Sequence, residues 1–338
     1  MLRIPYRNKL KLKKLGQLLL LALGLLFLMS VLVLVYADRM IRYDRDGAHL
    51  AGQAEELVTE PTQGKDRPLI SDPVVVIQEK EAEMTDIKDL GGVYITTKMM
   101  KDMDAVTEQL RQLQEPCAVM LEMKSISGNF YYTTDFAFDN YPQGIEVDKI
   151  DALIRELRDR GFYLIASIPA FPDYAYVVEN PGLALSKKGG YGWMDSRGCY
   201  WLDPSLDASV SRLMQLARDL GDRGFREVCF TEFQFPNGDN YRYESELPKE
   251  QIIREQAEKL GGMMTGSDIL VSIVTEGIGF PPTATRGRIY VPNVEVSQID
   301  RYTEAYGGEG GAMEVVFLTA SKDERFDAHA VLRPLLSE

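Results

Sequence analysis

The stretch GFREVCFTEFQFP, residues 224–236, is apolar on both faces through Val228, Cys229 and Phe230 and ends in a proline. A strand with one wet face alternates apolar and polar residues, whereas one that is apolar on both faces must be covered on both. DASVSRLMQLARDLGDRG (207–224) precedes it with helical spacing, and a second helical pattern follows near 248–260. A doubly covered strand between two helices predicts a parallel sheet. One carboxylate, Glu232, stands near the end of the run, and its role is the first functional question the sequence raises.

The same alternation extends in both directions. GVYITT (92–97), CAVMLEMK (117–124), FYLIASIP (162–169), DILVSIVTEG (268–277), RIYVP (288–292) and MEVVFLTAS (313–321) read as strands. Helical patterns run to about residue 114 and over VDKIDALIRELRDRG (147–161). Together with the opening stretch this gives seven strands, which predicts an α/β fold of the (β/α)8 TIM-like barrel type whose eighth strand is not readable. An open doubly wound sheet is the alternative. Its dinucleotide form needs a glycine-rich turn after the first strand, and ITTKMMKD (95–102) contains no glycine.

Ahead of the barrel, residues 1–14 carry six basic side chains and no acid, and an apolar run follows from Leu18 to Ala37. Twenty residues of helix span about 30 Å, the thickness of a bilayer core. A cleaved signal peptide is the rival reading, because Val35-Tyr36-Ala37 loosely resembles a cleavage site, but the run exceeds the roughly 7–15 residues of a signal core. The expected organisation is a cytoplasmic basic segment and transmembrane helix (1–42), a polar stalk (43–88) in which PVVVIQ (73–78) is a candidate short strand, and the barrel (89–338). The basic flank stays in the cytoplasm under the positive-inside rule, which places the barrel outside the membrane.

Charge and composition exclude several classes. Without the six N-terminal bases, 32 basic residues face 51 acidic ones, a net of −19, which argues against nucleic acid as a partner. The three cysteines, Cys117, Cys199 and Cys229, are too few for a disulfide framework. The only histidines, His49 and His329, lie outside the core pattern, so neither a histidine-dependent triad nor a histidine-bound metal is expected, and no cofactor.

Five blocks, GGVYIT, VMLEMKSISG, LRDRGFYLIASIPAFPD, YWLDPS and GFREVCFTEFQFP, resemble in order and spacing the bacterial glycosyl hydrolase domain family catalogued as domain of unknown function 4015. That family is a distant relative of the α-amylase barrels, and the resemblance covers roughly residues 90–280. It implies a barrel that meets a polysaccharide at the C-terminal ends of its strands. The apolar frame of the family is kept while its charged positions drift. Where the second strand of the family ends Asp-x-Lys-Asp, this chain has Glu122-Met123-Lys124-Ser125; an arginine of the third strand is Ser167 here. In the fourth strand Thr231 and Gln234 replace an aspartate and an arginine, and the fifth-strand aspartate falls at Val274.

Most glycosidases need two carboxyl groups, about 5–5.5 Å apart when retaining and roughly 6.5–9.5 Å apart when inverting. Glu122, Glu232 and Glu276 are the catalytic candidates at strand ends, and the α-amylase pattern selects Glu232 and Glu276. Strand alternation sets Glu232 on the face of Phe230 and Gln234, opposite Thr231, so it points to the helices unless the strand has already ended. Glu122 and Lys124, two apart, form either an ion pair or part of a hydroxyl-binding network. Trp193 and Trp201, the only tryptophans, lie in one loop with Asp195 and Asp203 and suit a sugar ring; alternatively Trp201 plugs the loop and Asp203 caps a helix. Asp173, Thr231 and Gln234 complete the substrate-binding candidates. Replacement of several family charges at once predicts weak or absent hydrolysis. The topology is checked by protease treatment of intact, wall-stripped cells: the barrel is degraded if it faces outward, and degradation only after lysis reverses the orientation.

Overall fold

A computed structural model of the chain describes residues 41–44, 47–50, 90–137, 144–187, 190, 192–238, 240–278, 287–307 and 314–336. The chain forms two units, residues 1–78 and 79–338. In the first, Ile41–Asp44 and Gly47–Leu50 pair antiparallel, with Ile41 opposite Leu50. The expected membrane span (18–37) and the candidate strand at 73–78 lie outside the described residues. No helix among the described residues is long and apolar enough to cross a membrane.

In the second unit eight strands close into one parallel barrel: β1 (Gly91–Ile95), β2 (Ala118–Glu122), β3 (Tyr163–Pro169), β4 (Glu227–Thr231), β5 (Leu270–Val274), β6 (Arg288–Pro292), β7 (Glu314–Leu318) and β8 (Ala330–Pro334). Each strand pairs with its neighbour in sequence, and β8 closes on β1 with Val331 beside Gly91. All seven strands read from the sequence are present. The eighth escaped notice because a short 3-10 turn, Glu324–Ala328, precedes it where a helix was expected.

The helices follow from their apolar spacing. They are α1 (Met103–Gln112), α2 (Val147–Asp159), α3 (Tyr174–Glu179), α4 (Asp207–Asp222), α5 (Lys249–Met263) and α6 (Ile299–Gly307). In α2, Ile150, Leu153, Ile154 and Leu157 recur every three or four residues and are all buried, forming the stripe that faces the barrel. Asp102 caps α1 by accepting the Ala105 N–H at 3.0 Å.

Strand alternation then sorts side chains into two cores. Val228 and Phe230 of β4 join the layer between barrel and helices. Cys229 joins Ala118, Met120, Ile165, Tyr290, Val316 and Leu332 inside the barrel. By the same period of two, Glu227 lies inside at the barrel floor and Thr231 inside at the mouth. Gly92 is required by close packing at β2, since a Cβ there would sit 2.0 Å from the Ala118 carbonyl oxygen.

Glu227 is fully buried, inside the barrel. One of its oxygens accepts from Tyr290 Oη at 2.9 Å and from the Ser272 hydroxyl; the other accepts from Tyr163 Oη at 3.1 Å and pairs with Arg288. Burial and the neighbouring Glu227 charge raise the Tyr163 and Tyr290 phenols well above their ordinary range. A buried ion is tolerated only when paired and hydrogen-bonded, so removing one partner leaves an uncompensated charge. Arg288→Met is expected to cost about 3–5 kcal/mol, and the Glu227→Met/Arg288→Met double substitution less than that. Thermal unfolding of the purified variants checks this, and an Arg288→Met chain as stable as the parent would contradict it.

Candidate active site

The C-terminal strand ends surround a cavity of about 780 Å3. In a (β/α)8 barrel this is the face at which loops build the site. The bottom of this cavity is made by inward residues near the strand ends, among them Glu122 of β2, Ser167 of β3, Thr231 of β4 and Val274 of β5. Glu122, Glu232, Glu276, Thr231, Gln234, Trp193 and Trp201 all line this one cavity.

Glu232 reaches the mouth through a local backbone device. β4 ends at Thr231, and Glu232 takes the left-handed conformation (φ 52°), which breaks the alternation that would have aimed it at the helices. A non-glycine residue in that region costs on the order of 1–3 kcal/mol and needs support from its surroundings. Phe233, buried beside Phe171 (ring centroids 4.9 Å apart), anchors the turn on one side. Arg197 holds the carboxylate on the other, with Nη1 donating to Oε1 at 3.0 Å and Nη2 to Oε2 at 2.7 Å.

Arg197 belongs to the tryptophan loop, which folds back as a narrow hairpin with Met194 bridged to Tyr200 and a tight turn from Asp195 to Gly198. Its Nε and Nη2 also donate to Asp195 Oδ2, at 2.9 and 2.7 Å. Asp195 further accepts from the Cys199 backbone N–H and from Trp201 Nε1 at 3.1 Å. Burial pushes the Asp195 carboxyl up, but these donors outweigh it and leave it below the usual carboxylate range. The bonds to Glu232, more than any other cause, raise the Arg197 guanidinium further above its ordinary value. The clamp therefore ties the loop after β3 to the end of β4.

The two tryptophans have different positions. Trp201 is 3 % exposed and serves mainly as the inner wall of the hairpin. Trp193 is half-buried and packs edge-on against Trp201 and against Tyr241, with ring centroids 6.5 and 5.3 Å away. It is the more accessible aromatic surface of the cavity.

Glu122 is held at the end of β2. Its Oε2 accepts from both the backbone N–H and the hydroxyl of Thr97, each at 2.6 Å. Glu276 is exposed at the rim, two residues beyond the end of β5.

Three candidates stand away from the cavity wall. β2 ends at Glu122, so strand alternation no longer governs Lys124; it pairs instead with Asp173 at 3.0 Å, both side chains being buried. Asp173 also caps α3 through the Tyr176 N–H. Asp203 is buried and accepts from the Ser205 N–H and hydroxyl and from the Glu244 N–H, a loop-organising role in line with the capping alternative. Its burial outweighs these donors and raises its pKa. The sequence reading passed over Arg197 and Thr97. The signal for Arg197 was its place as the cation in the turn between the two tryptophans; Thr97 gave none, because its partner is 25 positions away.

Residues 92–272 match the family model described as "Putative glycosyl hydrolase domain", the domain of unknown function 4015. The chain belongs to this family. The glycoside-hydrolase-like barrel has solved counterparts. A GH36 α-galactosidase from Geobacillus stearothermophilus, solved with stachyose, superposes with a TM-score of 0.50 at 13 % identity, covering 72 % of this chain and 38 % of its own. A protein solved in complex with cyclobis-(1→6)-α-nigerosyl gives 0.50 at 13 % identity, covering 73 % and 42 %. A hypothetical protein from Ruminiclostridium thermocellum gives 0.46 at 19 % identity, with 56 % of this chain and 99 % of that one. This chain thus spans less than half the length of the first two, and the likeness is one of fold. No curated protein matches the chain.

If Arg197 and Glu232 hold the hairpin as one unit, Arg197→Ala and Glu232→Gln should each red-shift the tryptophan emission, and the double substitution should add little. A double-mutant cycle on unfolding free energy should give a coupling of roughly 1 kcal/mol, reduced from a buried pair by solvent at the half-open clamp. Strict additivity of the two substitutions would show that the clamp does not position the loop.

Proposed function

We propose that the barrel mouth is a carbohydrate-binding site of an extracytoplasmic, membrane-anchored protein, and that hydrolysis there is weak or absent. The observation that carries this reading is the bidentate bond of Arg197 to Glu232. A glycosidase of the α-amylase pattern brings a strand-four carboxylate to the sugar; here Thr231 stands where the family has its aspartate, and the neighbouring Glu232 has both oxygens bonded to a guanidinium. Trp193, with the neutral hydrogen-bonding groups of Gln234, Asn237 and Asn293, supplies the aromatic and polar wall that suits a sugar ring. The basic N-terminus followed by the apolar run Leu18–Ala37 supports the anchored placement.

A hydrolytic reading has one specific observation in its favour. Glu122 and Glu276 line the same cavity, neither is paired with a cation among the described residues, and Glu122 is oriented by Thr97. Screening the purified chain on cell-wall and plant polysaccharides separates the two. The expected outcome is binding without appreciable turnover, weakened about tenfold or more by Trp193→Ala through loss of a stacked ring. Robust turnover abolished by both Glu122→Gln and Glu276→Gln would establish hydrolysis instead.

A further inference from the structure

The formal charge of the mouth is lopsided. Four carboxylates, Glu122, Asp195, Glu232 and Glu276, line the cavity, and Arg197 is the only cation among its described lining residues. Arg197 donates four hydrogen bonds, two to Asp195 and two to Glu232, so its charge is already shared between two anions. Glu122 is bonded by the neutral donors of Thr97, and Glu276 stands exposed at the rim. An anionic sugar entering here finds repulsion and no guanidinium to receive it. A neutral ring that covers Glu122 offers hydroxyl donors to a carboxylate but no counter-charge. An ammonium group offers donors as well and adds an ion pair. The acidic excess of the chain beyond residue 14, 51 acids against 32 bases, draws cations toward the surface in the same sense.

Resting on the carbohydrate reading above, we propose that the ligand is a saccharide bearing free amino groups, of the class of partly or fully N-deacetylated hexosamine oligomers, and that uronate- and phosphate-bearing polymers are excluded. The test is calorimetric titration of the full chain, in a non-glycosidic detergent, with a glucosamine pentamer, its N-acetylated counterpart and a galacturonate pentamer at low and high salt. The amino oligomer should bind roughly two- to fivefold tighter than the acetylated one, the range of a partly exposed ion pair. The ratio should shrink in high salt and in both Glu122→Gln and Glu276→Gln, and galacturonate should not bind. Equal affinity for the amino and acetylated oligomers, a ratio unmoved by both substitutions, or tight galacturonate binding overturns the charge inference while leaving the carbohydrate reading in place. Failure of a folded chain to bind any saccharide in these titrations and in the polysaccharide screen overturns both.

Discussion

Closure of eight parallel strands is the constraint on which the rest depends. A closed barrel has no edge, so each strand is bonded on both sides and its residues face either the barrel interior or the helices. On β4 that rule gives Glu227, Cys229 and Thr231 three successive levels: a charged floor, an apolar middle and a polar mouth. The floor is an ion pair wrapped in two tyrosines and a serine, which satisfies a carboxylate that no water reaches. The mouth keeps its carboxylates in an open cavity, where they can meet a ligand.

The same strand explains why Glu232 is both conspicuous and occupied. A regular continuation would have turned it to the helices, where an unpaired carboxylate is costly. One left-handed residue brings it back to the mouth, and Arg197 secures it there. The arrangement makes the residue after Thr231 a fastening point for the tryptophan hairpin. Asp195 takes part at both ends, bonded to Arg197 and to the Trp201 indole, so the aromatic wall and the Glu232 carboxylate are joined through one set of hydrogen bonds. Such a pre-set wall favours binding, because little side-chain freedom remains to be lost when a ring docks.

Much of the fold was legible in the sequence because its signals are local. Seven strands announced themselves by apolar runs between helical periods, and Ile150, Leu153, Ile154 and Leu157 gave the buried stripe of α2 from spacing alone. The eighth strand carried the same apolar character in Ala330–Pro334 but lacked a preceding helix to frame it. At the mouth, residue types were legible and partnerships were not. Lys124 was set two residues from Glu122 on the assumption that the strand continued, whereas β2 stops at Glu122 and Lys124 turns to Asp173.

The sequence by itself determined the strand-helix alternation, the acid-rich balance, the family and the set of carboxylates near the strand ends. These follow from periodicity, composition and motif order, which need no knowledge of distant contacts. Only the tertiary structure decided which carboxylate is clamped, which is held by neutral donors and which stands exposed at the rim. Those distinctions depend on where a strand ends, on a single φ at Glu232 and on bonds between residues 25 to 35 positions apart, all fixed by barrel closure and invisible to local pattern.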